Sequence, residues 1–470
     1  MNISTNVSVL AVQNYGPSGT LLLQSLLDGH PNILSFPTVY IHNFFYFWDK
    51  HGDESTDSLI NSFIDEYNFW FHPEGAVKAL GLHQMGENMD ETIYVSEEIF
   101  KNTLSHIVGR DEHPSRKSFF IAIYFSYAKA LGRKIDEPVV LVFPIHNLPR
   151  LHAKYLIEDF PNAKFVHMIR EPIQLIVSSF KHVTQNYLPA NPAECAYSQM
   201  LNDYIKQWGW PNKRFVYGYK PYFNEHERFS KAVKLEDIHT NPEIVLKTIC
   251  EWLDIPWHKC LLTSTFNGKK WWNRPGCPRI SGFGLQAIKK KTDDVISEFD
   301  KYRLYGLMSK KYKIWGYQYP ELCSNIFFQM ALPFLILIPF KAEGSFLKYR
   351  FIYTPIGLYK QIIVAMTKRL KKNQLPLGIG NIIHFAGKFF DSINVIFEPA
   401  SKSSLWHYLK KFMVIMGFTL FVPVFLLILL KDTLMVRYWL YRGWFVNLPK
   451  KRSEVRLLYD DVLKINIQEK

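Results

Sequence analysis

The chain opens with an apolar run at residues 7–12, Val-Ser-Val-Leu-Ala-Val, and then turns through Tyr15-Gly16-Pro17-Ser18-Gly19-Thr20 into a leucine-rich stretch. That stretch stops at Asp28-Gly29-His30-Pro31. A short apolar run without clean alternation predicts a strand buried on both faces. A tight turn and a helix closed by Gly and Pro complete a strand–turn–helix unit, with the helix over 20–28. Such a turn aims several backbone N–H groups and a helix N-terminus at one point, where phosphate or sulfate binds.

Two further runs have the same character, residues 139–143 and 164–169, and a weaker one covers 231–235. Helical patterns follow. Residues 172–182 start at Pro172, which suits a first helical position, and Ile173, Ile176, Val177 and Phe180 share one apolar face. Another helix is expected over 242–253. Strand and helix in alternation predict an α/β fold, a parallel sheet flanked by helices, with ligands at the carboxyl ends of the strands. Residues 40–135 are aromatic and mixed, without a strong motif. They are read as a helical insertion that shapes an acceptor site, or as a plain helical layer covering the sheet.

At 470 residues the chain exceeds one ordinary core. The expected division is an α/β domain over 1–320 and a mainly helical, membrane-associated region over 321–470. Of the net charge of +14, residues 321–470 hold 21 Lys+Arg against 9 Asp+Glu, an excess of 12. There the positive charge interleaves with long apolar runs, which fits an anionic membrane surface rather than nucleic acid. Residues 412–430 form a run of 19 without a charge, flanked by Lys410, Lys411 and Lys431. At 1.5 Å per residue it would extend roughly 28 Å, near the hydrocarbon thickness of a bilayer. Residues 325–340 are also uncharged but shorter, and contain Pro333 and Pro339. Basic clusters at 368–372 and 450–452 suit lipid head groups. The five cysteines form no Cys-x-x-Cys pair, so reduced thiols and a cytoplasmic catalytic domain are expected, with no signal peptide at the N-terminus.

The opening segment resembles the 5′-phosphosulfate loop of sulfotransferases that use 3′-phosphoadenosine 5′-phosphosulfate (PAPS). Many members carry Pro-(Arg/Lys)-Ser-Gly-Thr, a helix, and a Leu-Asp-x-His-Pro ending. The segment Phe160-Pro161-Asn162-Ala163-Lys164-Phe165-Val166-His167-Met168-Ile169-Arg170-Glu171-Pro172 is similar to the family's 3′-phosphate motif, and Ser178 stands eight residues past Arg170 as that motif requires. Lys234 to Ile238, with Asn241-Pro242-Glu243 after it, is similar to a further block, and Thr265 to Trp272 looks like a late, basic cofactor loop. The resemblance spans roughly residues 7–280. It implies a P-loop-like three-layer fold and a donor site built from Ser18, Gly19, Thr20, Leu21, Arg170, Ser178, Lys269 and Lys270. It also implies PAPS as co-substrate and a hydroxyl acceptor. The acceptor is read as a glycan, a glycolipid or a lipid-linked metabolite, the last two from the membrane feature alone.

Physical chemistry agrees. Sulfuryl transfer, like phosphoryl transfer, moves a group in line with charge spread over its peripheral oxygens, so the protein mainly positions and donates hydrogen bonds. An arginine fork after a strand suits a phosphate dianion. One departure stands out: Pro17 occupies the place of the usual Arg or Lys, which removes a positive charge from the leaving group. Lys269, Lys270, Arg274 and Arg279 are candidate substitutes. A second reading follows from Pro17, a membrane-tethered nucleotide-binding scaffold with weak or no catalysis; a third is a soluble small-molecule sulfotransferase. His146, 24 residues before Arg170, is the candidate base for the acceptor hydroxyl, with Asp28, His30 and His42 behind it. Trp48, Trp271 and Trp272 are candidates to stack on adenine. No pair of carboxylates or histidines has metal-ligand spacing, so no metal is expected. Residues 16–20 lack the Gly-Lys-(Ser/Thr) ending of a Walker loop, which disfavours an ATPase or kinase.

Overall fold

The apolar runs form the middle of one parallel sheet. The computed structural model describes residues 7–13, 17–37, 41–72, 81–109, 112–145, 150–187, 229–273, 279–288, 291–346, 426–427, 430–441 and 456–459. The chain divides into two compact units, one of residues 1–175, 210–290 and 451–470, the other of residues 176–209 and 291–450.

In the first unit, β1 (Val7–Gln13), β2 (Ile33–Leu34), β3 (Val139–Ile145), β4 (Lys164–Ile169), β5 (Ser230–Lys234) and β8 (Arg456–Leu457) lie in the order β2-β3-β1-β4-β5-β8. Every pairing is parallel, from Val7↔Val139 to Gln13↔Ile145 on one side of β1 and from Leu10↔Lys164 to Gln13↔His167 on the other. The sheet therefore has helices on both faces, and alternate residues of each strand point to opposite layers. Val9, Ala11, Leu141, Phe143 and Phe165 join one core, filled by α2 (Phe44–His51), α3 (Thr56–Glu66), α4 (Glu97–Val108), α5 (Arg116–Ala130) and α6 (Arg150–Asp159). Leu10, Val12, Val142, Val166 and Met168 join the other core, with α1 (Thr20–Leu27) and α9 (Pro242–Leu253). The described helices between residues 41 and 130 form a layer on that face, much of it ring on ring: Phe36 packs 4.6 Å from Trp70 and 4.5 Å from Tyr124.

Short pieces absent from the sequence reading complete this unit. The edge strand β8 comes from the far end of the chain, and Tyr459 behind it donates to Asp237 at 2.7 Å and accepts from the Lys234 N–H at 2.9 Å. The segment expected as a late cofactor loop is a hairpin, β6 (Thr265–Phe266) and β7 (Lys269–Lys270). Asn267 (φ 51°) and Gly268 (φ 72°) form its two-residue turn, the backbone such a connection demands.

The second unit contains α10 (Glu298–Trp315), α11 (Ile326–Leu335) and a helix at residues 430–441, called α12. α7 (Pro172–His182) begins in the first unit and ends in the second. Among the described residues no helix is long and apolar enough to cross a membrane. The uncharged run 412–430 lies outside the described residues, apart from Leu426, Leu427 and Leu430.

Candidate anion site at the carboxyl ends of β1 and β4

β1, β4 and β5 end together, so the turns after them meet. Gly19 ends the first turn in the left-handed region (φ 94°) and is the N-cap of α1. Among the described residues no side chain caps that helix, and its first turn holds no acidic residue. The backbone donors of Thr20, Leu21 and Leu22 are those a helix leaves without intrahelical acceptors. Ser18 is fully buried, and among the described residues its hydroxyl has no hydrogen-bond partner. An uncapped helix start, an orphaned hydroxyl and a left-handed glycine fit an oxyanion.

Leu235, first residue of α8 (Leu235–Thr240), packs so closely that a Cβ on Gly19 would stand 2.4 Å from its Cδ1. Arg170 follows β4 and is 5% exposed. Its Nη1 donates to the Pro17 carbonyl at 3.0 Å, and its Nη2 donates to Ala287 O at 3.3 Å. The turn and the guanidinium are therefore on one edge of the sheet and in contact. Pro17 supplies no cation, but a positive charge does lie beside it, delivered from the end of β4. The Glu171 carboxylate accepts from the Gln174 N–H at 2.7 Å at the start of α7, and the Glu171 N–H donates to Glu236 at 2.9 Å. His239 accepts from the Gly284 N–H at 3.1 Å. Burial first, and then the Arg170 charge, hold its pKa down to about 4, so it is neutral near pH 7. Leu235 and Glu236 fall in the block over 234–238 that the resemblance picks out, whereas His239 and the 284–287 turn lie outside every motif.

Residues 17–259, more than half of the chain, match the family model described as "Sulfotransferase family". The chain belongs to the sulfotransferase family. No curated protein matches it. Among solved structures, this sulfotransferase is similar to the sulfotransferase domain from the curacin biosynthetic pathway (16% identity, 67% of this chain and 93% of that chain, TM-score 0.35). It is also similar to the sulfotransferase domain from the Synechococcus PCC 7002 olefin synthase (14% identity, 56% and 78%, TM-score 0.29). A third is sulfotransferase STF9 from Mycobacterium avium (16% identity, 55% and 66%, TM-score 0.30). Family membership rests on the match over residues 17–259.

The remaining expected site residues of this sulfotransferase fall elsewhere. Ser178 is buried two turns along α7, in the second unit. His146 and Arg274 lie outside the described residues. Lys269 and Lys270 are not brought to the turn. They pair with Glu91 and, at 2.7 Å, with Glu87. Their hairpin is fastened to the other end of α1, where Asp28 accepts from Thr265 Oγ1 and the Gly268 N–H, both at 3.0 Å. Eight residues of helix separate that end from the turn by about 12 Å. Arg279 donates to Gln84. Asp28 also accepts from Ser35 at 3.2 Å, and His30 accepts from the Asn32 N–H at 3.1 Å and donates to Pro256 O at 2.9 Å. Both side chains are fully engaged in tying α1 to its surroundings, and His42 stands half-buried before α2. Trp48 packs on Phe119, Trp271 is buried against Phe266, and Trp272 lies under the Lys270 ammonium at 4.3 Å. None of these three rings is described beside Arg170. Among the described residues, no group of His, Cys, Asp and Glu is arranged to hold a metal.

Proposed function

We propose that this sulfotransferase moves a sulfuryl group from PAPS to a hydroxyl of a glycan, glycolipid or lipid-linked acceptor. The observation that carries the reading is the 3.0 Å bond from Arg170 to the Pro17 carbonyl, which joins the two motif segments within the matched region. In this reading the backbone N–H groups of Gly19, Thr20 and Leu21 and the Ser18 and Thr20 hydroxyls hold the oxygens of the 5′-phosphosulfate. Arg170 holds the 3′-phosphate. PAPS supplies an activated S–O bond when bound. The acceptor oxygen forms a bond to sulfur, the bond to the phosphate oxygen breaks, and the acceptor proton passes to a base, for which His146 is the candidate.

The Pro17 substitution favours a second reading, a weak or inactive nucleotide-binding member of the family. Incubating the purified full chain with PAPS carrying radioactive sulfur and a panel of membrane-extract and soluble acceptors separates the two. Transfer of label to a hydroxyl compound is expected. Tight nucleotide binding without transfer to any acceptor would install the second reading, and absence of nucleotide binding would remove both.

A further inference from the structure

The second unit displays a surface built the wrong way round for water. Between Ile326 and Leu335, α11 has one polar side chain, Gln329. It points inward, where its amide donates to the carbonyls of Gly306 (2.9 Å) and Cys323 (2.6 Å). Leu332 and Ile336 are buried beside it, and Phe328 closes on Gly306, where a Cβ would meet the ring at 2.6 Å. Outward stand Phe327, Met330 and Phe334, 78%, 66% and 73% exposed. A helix at a water boundary carries the opposite pattern. α12 buries Asp432 with Val436 and Leu440, and exposes a second apolar row, Leu430, Leu434 and Tyr438, at four-residue spacing.

The two helices are fastened together. Tyr441 donates to the Pro333 carbonyl at 2.7 Å, and Arg437 donates to Ile336 O at 2.8 Å and to Glu343 at 2.7 Å. The buried Arg303 of α10 donates to Leu335 O at 2.9 Å, to Pro339 O at 3.2 Å and to Ile338 O, with Asp300 against it. The carbonyls that end α11 are thus met by two guanidiniums rather than left to solvent. A helix end lodged in a water-poor layer needs this. Among the described residues at 321–346 and 430–441 the exposed charges are Lys341, Lys431 and Glu321, two basic and one acidic, whereas the acids Glu343 and Asp432 are buried. A second copy of the same face would oppose lysine to lysine; an anionic lipid surface complements both the apolar face and its charge. α11, with 10 residues, extends about 15 Å and cannot cross a bilayer.

We propose that α11 and α12 form one in-plane docking surface for an anionic bilayer, their apolar face resting at the boundary between head groups and acyl chains. The inference is independent of sulfuryl transfer. It is tested with the full chain and phosphatidylcholine vesicles, with and without phosphatidylglycerol. A fluorophore is attached at Met330→Cys in a chain whose five native cysteines are serine. The label is expected to become shielded from aqueous iodide and quenched by brominated lipid, more so when phosphatidylglycerol is present. Phe327→Ser with Phe334→Ser should weaken that shielding roughly tenfold or more, since both rings face outward. Nucleotide binding serves as the separate check on folding and on the transfer reading. A label that stays open to iodide on vesicle-bound protein overturns the proposal, even where residues 412–430 hold the chain to the membrane. Shielding without vesicles, together with a doubled mass, also overturns it and assigns the face to a second copy.

Discussion

Gly19 sets the geometry of the donor turn. Its φ of 94° is poorly tolerated by residues with a Cβ, and Leu235 leaves no room for one. Gly19→Ala should therefore cost about 1–3 kcal/mol at the turn and weaken nucleotide binding. Leu235→Ala on top of it relieves the contact but not the φ, so only part of the loss should return; thermal melting and nucleotide titration read both effects. Pro17 poses a sharper question, because it lacks both a cation and an N–H. Pro17→Ala restores the N–H alone, and Pro17→Arg restores the charge as well. If charge at the leaving group limits turnover, Pro17→Arg should raise kcat by up to about tenfold while Pro17→Ala changes it little. Equal rates for both variants and the parent would mean that charge at the leaving group does not limit turnover. At this scale the meeting of the turn at Pro17 with Arg170 follows from the two segments that resemble the family's motifs, since an arginine after a strand is by itself an ordinary surface feature. His239 is not legible in the sequence, because a histidine on a short helix looks like any solvated residue until β5 places it near β4.

Among the elements, α1 is held at both ends by opposite means. Its start is left open, and its end is closed by Asp28, a carboxylate at the unfavourable end of the helix dipole. Three donors, from Ser35, Thr265 and Gly268, offset that placement. Asp28→Ala should lower stability by about 2 kcal/mol, read from urea unfolding, with nucleotide affinity nearly unchanged. Affinity falling in step with stability would instead tie the hairpin to the anion site. The central strands are legible because strands buried on both faces read as unbroken apolar runs. The hairpin is not, because Lys269 and Lys270 on β7 suggest a phosphate loop, while the Asn267-Gly268 turn between them and Phe266 is the stronger local signal. β2 and β8 have two residues each, too short to show any period.

Across the whole molecule, histidines held below their ordinary pKa make the first unit sensitive to acid, among them the half-buried His239 and the buried His167. His239 is held down to about 4 by burial and by Arg170, and His167, enclosed in the sheet, is pushed down to about 3 by burial. Both are neutral in the folded chain at pH values where an unfolded histidine, near 6.5, takes up a proton. The unfolded state then binds more protons, so stability is full above about pH 6.5 and falls as pH drops toward 4. The thermal midpoint should decline between pH 7 and pH 5, and His239→Gln should flatten that decline; an unchanged slope would contradict the assignment. The division into units is poorly legible, because residues 451–470 return to the sheet through a strand with no sequence signature. The central claim is that a turn of main-chain donors and one guanidinium grip the two ends of the same nucleotide. Calorimetric titration of the parent and Arg170→Gln with 3′-phosphoadenosine 5′-phosphate and with adenosine 5′-phosphate tests it most directly. The parent should prefer the bisphosphate by about 10- to 100-fold, and Arg170→Gln should lose that preference while still binding the monophosphate. Equal binding of both nucleotides by the parent, or a preference that survives Arg170→Gln, would contradict it.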